Sequence, residues 1–302
     1  MPSREHLEPS IEYTSSTDHF SDSSPKGKPD VLSRLEQAVG EIHDSETFRR
    51  YLDVQSRFHH YSWGNVALIL TQQPDATLVA GYNTWLRLHR YVRKGEQGIR
   101  IIVPMRRKQD PDTPDEEVRV FFGTGVVFDI SQTEGEELPG IEVPELHGDF
   151  HEGIELYDSL IAFANHSGAS VRVATEDLKA GTMGYYLPHQ KSIVLRPAEP
   201  LQMVKTLAHE VAHHELAYNF PDDNNLASTK GEKESIAESV AYVVCAHFGL
   251  DTGVRSFPYI ALWSRDTAVL RHVLGTVQKV SARIIDGVKA SRKNSGPELL
   301  DQ

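Results

Sequence analysis

Two histidines that lie four residues apart, His209 and His213, sit in a segment whose apolar residues recur with the period of an α-helix. Residues four apart on a helix share a face, so both imidazoles are predicted to leave one side of a helix over residues 200–217. Two imidazoles at that spacing suit a zinc ion, which binds each ring nitrogen at about 2.0–2.1 Å. The segment therefore predicts a helix that carries a Zn²⁺ site.

Glu210 lies beside the first histidine and is predicted to act as a general base rather than as a metal ligand. Zinc lowers the pKa of a water molecule that it binds towards about 7, and a nearby carboxylate can then take the proton. This combination allows an amide to be attacked at neutral pH. A chance HExxH pattern in a chain with 15 histidines is the alternative.

A zinc site of this kind needs a third protein ligand, and several downstream acids are candidates. Glu215 shares the first helix but points away from the predicted metal, and Asp222 and Asp223 fall in a predicted loop. Glu234 and Glu238 lie four residues apart on the next predicted helix and share a face. We assign Glu234 as the ligand and Glu238 as the carboxylate that braces a ligand histidine. The reversed assignment is the alternative.

A substrate oxyanion needs a hydrogen-bond donor in addition to the metal. Tyr185 and Tyr186 follow Gly184, which lets the chain pass close to the site, and His214 adjoins the second ligand. These three side chains are the candidate donors. Core packing is the alternative for the two tyrosines, and a structural role is the alternative for His214.

The chain as a whole is predicted to be an α+β protein of two domains joined by the acidic segment 131–150. Residues 1–29 are rich in Ser, Asp, Glu and Pro and are predicted to be disordered, and 293–302 to be a flexible tail. Residues 30–140 combine helices with strands, and 141–292 are mostly helical with a small sheet. The predicted helices are 32–58 with a start at Asp44 and Ser45, 65–72, 84–88, 152–166, 200–217, 232–248 and 264–290, and the predicted strands are 99–104, 118–128, 170–174 and 192–196.

A basic segment at 87–108 holds eight Lys or Arg against one acid, which gives a local charge of +7 in a chain of net charge −12. Aromatic residues are interleaved with these cations. Cations follow a phosphate backbone and aromatic rings stack on bases, each stack contributing about 1–3 kcal/mol. Stacking tolerates any base, so the pattern predicts nucleic-acid binding with weak sequence preference and strong salt dependence. The candidate residues are Tyr61, Trp63, Asn65, Trp85, Arg87, Arg90, Arg93, Lys94 and Arg100.

A solvated basic face above a packed core is the alternative to DNA binding. In that interpretation Trp85 belongs to the core and Asn65 caps a helix. The net charge of −12 also argues against indiscriminate coating of nucleic acid.

The composition also bears on where the protein works. The one cysteine, Cys245, rules out an intrachain disulfide and fits a reducing compartment. The sequence contains no apolar start of the signal-peptide type and no run of about 18 apolar residues. We therefore expect a cytoplasmic protein without a membrane span.

Two short motifs are similar to those of the ImmA/IrrE-type metallopeptidases, in which HExxH is followed by a helix with E-x-x-A. Here the motifs are 209-HEVAH-213 and 234-ESIA-237. The resemblance implies that His209, His213 and Glu234 bind zinc and that Glu210 is the catalytic glutamate.

Most of the chain, about 30–290, also resembles ArdC-type antirestriction proteins. The similarity rests on 61-YSWGNVALILTQQPDATLVAGYNTWLRLHRYVRKGEQGIRIIVP-104 and 127-VFDISQTEGEELP-139. It implies that residues 30–140 bind single-stranded DNA and that residues 141–292 form a zincin-like metallopeptidase domain. It also implies a role in protecting incoming mobile DNA from restriction.

Three functions are consistent with these features. The first is an active zinc endopeptidase that single-stranded DNA directs to its target. The second is a DNA-binding protection protein with a structural metal, and the third is a peptidase that cleaves a repressor. None of the three specifies the protein or peptide substrate.

Overall fold

The computed structural model describes residues 31–42, 44–107, 119–136, 150–174, 178, 181–226, 229–250 and 267–294. The predicted tail at 1–29 and most of the predicted tail at 293–302 lie outside the described residues. So does the predicted domain boundary between 140 and 141, and the division into domains stays a prediction. Within the described residues the fold is a mixture of helices and small sheets, as the sequence predicted.

Three helices open the described chain: α1 (Val31–Glu41), α2 (Ser45–Arg57) and α3 (Trp63–Gln72). The prediction of a helix start at Asp44 is confirmed, because its side chain accepts the backbone N–H groups of Glu46 and Thr47 at 2.9 and 2.8 Å. Such a cap satisfies donors that have no partner inside the helix.

An antiparallel sheet follows, in the order β1 (Val79–Gly81), β4 (Arg119–Asp129), β3 (Ile99–Arg107). The short helix α4 (Tyr82–Arg87) lies after β1, and β2 (Arg90–Val92) pairs separately with β5 (Thr133–Gly135). The sequence did not predict β1, β2 or β5, since three residues are too few to show an alternating pattern. α3 packs against β3 and joins the helices to this sheet.

The rest of the chain is mostly helical, as predicted, and holds a second three-stranded sheet. Its strands are β6 (Ser170–Val173), β7 (Gly184–Leu187) and β8 (Ser192–Leu195), with β8 between a parallel β6 and an antiparallel β7. The edge strand β7 was not predicted. The helices are α5 (Phe150–His166), α6 (Pro200–Tyr218), α7 (Pro221–Leu226), α8 (Lys230–His247) and α9 (Thr267–Asn294).

The loop predicted around Asp222 and Asp223 is wrong, because both residues belong to α7. Two acids in the first turn of a helix interact favourably with the positive end of its dipole. Among the helices that the structure describes, none has both the length and the apolar character that a bilayer crossing requires.

One cluster of buried apolar side chains includes residues from the first helices and from the last ones. α2 lies against α8, where the Tyr242 hydroxyl donates to Asp53 Oδ1 at 2.6 Å. His247 Nδ1 lies 2.7 Å from the backbone oxygen of Ser56 at the same junction. The core therefore holds α6 and α8 in a fixed relation, and these two helices carry the predicted metal ligands.

Candidate metal centre

α6 presents His209 and His213 on one face, as their spacing predicted. The opposite side of the helix buries Val204, Leu207 and Val211, which fixes its rotation against the core. The two Nε2 atoms lie 3.1 Å apart, with the rings at 76° to each other. Both nitrogens therefore face a common point.

α8 brings Glu234 to that point from the other side. Its Oε2 atom lies 3.3 Å from His209 Nε2 and 3.4 Å from His213 Nε2. Ligand atoms placed tetrahedrally at 2.0–2.1 Å from one ion are about 3.3–3.4 Å apart. The triangle of two nitrogens and one oxygen thus has the dimensions of a transition-metal site, and the donor set suits zinc or a neighbouring divalent metal.

The carboxylates change the pKa values of the ligands. Burial opposes a charge on His209, yet its contacts with Glu234 and Glu238 outweigh burial and raise its pKa to about 9. The contacts with His209 and then His213 hold the pKa of the Glu234 carboxyl well below its usual range. Glu234 is therefore an anion at neutral pH, which is the form that binds a metal.

Glu238 lies on the other side of His209. Its Oε2 atom is 3.3 Å from His209 Nδ1, and its Oε1 atom is 3.0 Å from Lys205 Nζ. A carboxylate at Nδ1 orients the ring and leaves Nε2 for a metal. The geometry thus places Glu234 at the ligand nitrogens and Glu238 at the bracing position. Lys205 was not among the predicted site residues, because its partner Glu238 lies on another helix.

Glu210 is buried on the face of α6 next to the ligands, with 6% of its surface exposed. Burial raises the pKa of its carboxyl, against the opposing charges of His209 and His213. The backbone N–H of Tyr186 on β7 donates to this carboxylate. A carboxyl with a raised pKa beside a cation site has the properties of a general base.

The prediction that His214 donates to an oxyanion is wrong. Five residues after His209, it lies about 140° around the helix from that ligand. The His214 ring is fully buried, with Nδ1 at 2.9 Å from the Tyr186 hydroxyl and Nε2 at 3.1 Å from the Ser167 carbonyl. The Tyr186 hydroxyl is therefore also engaged away from the ligands. Tyr185 alternates with it along β7 and faces the opposite side of the sheet. Its role as an oxyanion donor stays a prediction.

Behind the site, a buried polar network fixes the end of α6. Glu215 has no exposed surface, and its carboxylate contacts Arg283 Nε at 2.6 Å, Asn219 Nδ2 at 2.8 Å and the Ser167 hydroxyl. No local sequence pattern indicates this network, since Ser167 and Arg283 lie 48 and 68 residues from Glu215.

Two of the predicted DNA-binding residues belong to the core instead. Trp85 is fully buried and donates from Nε1 to the Phe128 carbonyl at 2.9 Å, so it cannot stack on a base. Asn65 is also buried, and its amide exchanges two hydrogen bonds with the Ile102 backbone, at 2.9 and 2.8 Å. The predicted cap role of Asn65 is wrong as well, because Ser62 caps α3.

Tyr61 and Trp63 are half-buried and pack against the core. The Tyr61 hydroxyl lies 3.4 Å from the Val79 carbonyl, so this ring joins the helices to the sheet. The structure offers little free face for stacking at either position.

Two of the arginines predicted to bind DNA instead make contacts within the protein. Arg90 Nε donates to the Thr133 hydroxyl at 2.8 Å, and Arg93 pairs with Glu96 at 2.8 Å and donates to the Ser131 carbonyl at 2.6 Å. Both fix β2 to the segment that follows β4.

The remaining cations are more accessible. Arg87 and Lys94 are exposed, and Arg100 on β3 is half-buried. The aromatic residues exposed near them are Tyr82 and Tyr91, at 51% and 56%. These tyrosines, rather than Trp85, are available for contact with a ligand.

The first part of the chain matches a described protein family, and most of the chain is similar to one curated protein. Residues 30–128 match the family model described as the N-terminal domain of anti-restriction factor ArdC. An uncharacterized protein of Bacillus anthracis, pXO2-81, is 24% identical over 287 residues, covering 80% of this chain and 49% of the relative. The chain thus spans about half the length of the curated relative it matches.

Two solved structures are similar over most of the chain, both of the antirestriction protein ArdC from plasmid R388. The metal-free structure matches with a TM-score of 0.52 and 21% identity, covering 78% of this chain and 86% of that one. The Mn(II)-bound structure matches with a TM-score of 0.55 and 18% identity, covering 86% and 98%. The chain therefore has the fold of ArdC, with an ArdC-type N-terminal domain at residues 30–128.

Proposed function

We propose that this chain is a metal-dependent hydrolase of peptide bonds, with zinc as the metal and with the ImmA/IrrE type of HExxH site. The observation that carries the proposal is the triangle formed by His209 Nε2, His213 Nε2 and Glu234 Oε2, with edges of 3.1, 3.3 and 3.4 Å. The Mn(II) in the similar ArdC structure supports a metal at this fold. When bound, the cation supplies Lewis acidity that activates water and polarises a carbonyl group.

The residues of this chain divide the remaining work. His209, His213 and Glu234 hold the cation, and Glu238 keeps the ring of His209 oriented. The Glu210 carboxylate accepts a proton from the attacking water and can return it to the leaving amine. Its raised pKa favours both transfers near neutral pH.

The test is Glu210→Gln in the full chain, assayed on a mixed peptide library with and without a single-stranded oligonucleotide. We expect unchanged metal content, because Glu210 is not a ligand, and cleavage that falls by about 10²–10⁴-fold. Glu155→Gln, an exposed carboxylate on α5, is the matched control. Cleavage at the original rate in Glu210→Gln would exclude the general-base role.

We further propose that the N-terminal domain contacts single-stranded DNA in an antirestriction role. The match of residues 30–128 to the ArdC N-terminal domain supports this, as do the exposed rings of Tyr82 and Tyr91 near the cations Arg87 and Lys94. Exposed rings stack on bases and cations follow the phosphates.

Filter binding with single-stranded and duplex DNA at two salt concentrations tests this second proposal. Tyr91→Ala and Lys94→Ala are expected to weaken binding of the single strand, and Lys94→Ala to flatten the salt dependence. Lys230→Ala removes an exposed cation from α8 and serves as the control. Equal affinity for both DNA forms would contradict stacking.

A restriction-protection assay of Glu210→Gln tests both proposed functions together. If Glu210→Gln protects DNA from restriction as well as the original chain does, proteolysis is not the protective step. That outcome would agree with the alternative considered from the sequence, in which the metal has a structural role. If protection is lost together with cleavage, the hydrolase acts in protection.

A further inference from the structure

Three side chains outside the first site converge where the turn after α2 meets α9. His59 and His60 lie in that turn, and Asp286 lies on α9. Asp286 Oδ1 is 3.4 Å from His59 Nε2 and 3.6 Å from His60 Nε2. These distances are close to the spacing of about 3.3–3.4 Å between ligands that share a tetrahedral ion.

His59 is the member of this group that most needs an explanation. Its side chain is 6% exposed; within the described part of the chain Nδ1 has no hydrogen-bond partner, and Nε2 has only the long contact with Asp286 Oδ1 at 3.4 Å. Buried polar atoms are nearly always paired, so such an exception points to a partner of another kind. The residue is held in place, because Gln278 Nε2 donates to the His59 backbone carbonyl at 3.0 Å. The His247 ring also packs edge-on against the His59 ring, with the two ring centroids 4.5 Å apart.

The other two ligands keep the group open to solvent. The His60 side chain is 63% exposed and that of Asp286 is 50% exposed. A cation can therefore enter from solvent and retain water as a fourth ligand. Two imidazoles and one carboxylate suit zinc and its neighbours among the divalent transition metals, not calcium or magnesium.

We propose that His59, His60 and Asp286 form a second site for a divalent transition metal, separate from the one on α6 and α8. Its ligands come from the turn after α2 and from α9, so an ion there fastens the N-terminal domain to the last helix. The positive charge of Lys289 acts on His59 and disfavours a cation. We therefore expect this site to bind more weakly than the first.

The test measures how many equivalents of zinc the full, untagged chain binds. The chain is dialysed to equilibrium against Zn²⁺, and the bound metal is quantified by mass spectrometry. Asp286→Asn and His60→Ala are each expected to bind one equivalent fewer than the original chain. His166→Ala removes an exposed imidazole elsewhere and is expected to change nothing. Asp286→Asn and His60→Ala alter exposed side chains, so we expect both variants to fold.

His213→Ala separates this site from the first one. That variant is expected to retain one equivalent of zinc, and Zn²⁺ is expected to raise its melting temperature. The rise should be absent in His213→Ala combined with Asp286→Asn. If Asp286→Asn and His60→Ala bind as much zinc as the original chain, or if His213→Ala binds none, the second site is excluded.

Discussion

At the scale of single residues, the chemistry depends on how His209 is held. One carboxylate lies at each of its ring nitrogens, Glu234 at Nε2 and Glu238 at Nδ1. Only Nε2 also lies near His213, so only this nitrogen faces a point that three ligands share. Glu238 then sets the tautomer that leaves Nε2 free for the metal.

The change Glu238→Gln tests this role. Glutamine keeps the size of the side chain and an oxygen for Lys205, but it binds the imidazole N–H less strongly. We expect metal affinity to fall by about 10–100-fold without loss of folding. Competition with a chelator measures the affinity, with Glu155→Gln as the control. An unchanged affinity would show that Glu238 does not orient the ligand.

Trp85 provides a second prediction at this scale. Because its ring is fully buried and hydrogen-bonded to Phe128, we expect Trp85→Ala to lower the free energy of unfolding by about 3–5 kcal/mol. Tyr91→Ala, at an exposed position, should change it by no more than about 0.5 kcal/mol. Urea denaturation measures both. Similar small effects in the two variants would place Trp85 outside the core.

These residues also show what the sequence could predict. His209, Glu210 and His213 were found because their meaning depends on spacing within one helix. Trp85 lies among cations in the sequence, but its hydrogen bond to Phe128 spans 43 residues and no local pattern shows it. An aromatic residue between cations therefore indicates a possible stacking site without indicating the face.

At the scale of elements, the position of Glu234 depends on the start of α8. Thr229 caps this helix: its hydroxyl accepts the Glu232 N–H at 3.1 Å, and the Glu232 carboxylate accepts the Thr229 N–H at 2.8 Å. This reciprocal capping box fixes the first turn. Glu234 follows within that turn and the next, so the cap also holds the third ligand.

We expect Thr229→Ala to lower the free energy of unfolding by about 1 kcal/mol and to weaken metal binding, because the first turn of α8 frays. Thr229→Ser keeps the hydroxyl and should behave like the original chain. Urea denaturation in the presence of a chelator isolates the effect on folding. Equal stability of the alanine and serine variants would contradict the cap.

The elements differed in how far the sequence predicted them. The helices that carry the ligands were predicted to within a few residues because each spans several turns of regular apolar spacing. β7 was missed, although it supplies the N–H that reaches Glu210. Its four residues, Gly-Tyr-Tyr-Leu, show no alternation of polar and apolar side chains that would mark a strand.

At the scale of the molecule, the relation between the two parts of the chain is decided by packing that the sequence does not reveal. A prediction of two domains followed from the acidic segment at 131–150. The structure shows buried residues of α2 and α8 in one apolar cluster, with α2 lying against α8. Such contacts arise between residues about 190 apart, and hydrophobic periodicity indicates only that each helix has a buried face.

We expect the described core to unfold in one cooperative transition, because a core that both parts share cannot be lost from one part alone. Tyr242→Phe removes the hydroxyl that donates to Asp53 at 2.6 Å and should lower stability by about 1–2 kcal/mol. Since this bond joins α2 to α8, the whole transition should shift. Tyr82→Phe, at an exposed ring, is the control.

Differential scanning calorimetry with a chelator present measures this outcome, with a calorimetric enthalpy equal to the van't Hoff enthalpy as the expected result. Two separate transitions, with Tyr242→Phe moving only one of them, would show that the parts fold independently. In the cooperative case, any loosening of α2 reaches α8 and the Glu234 ligand. A metal at the first site would then stabilise the N-terminal domain as well, although that domain contributes none of its ligands.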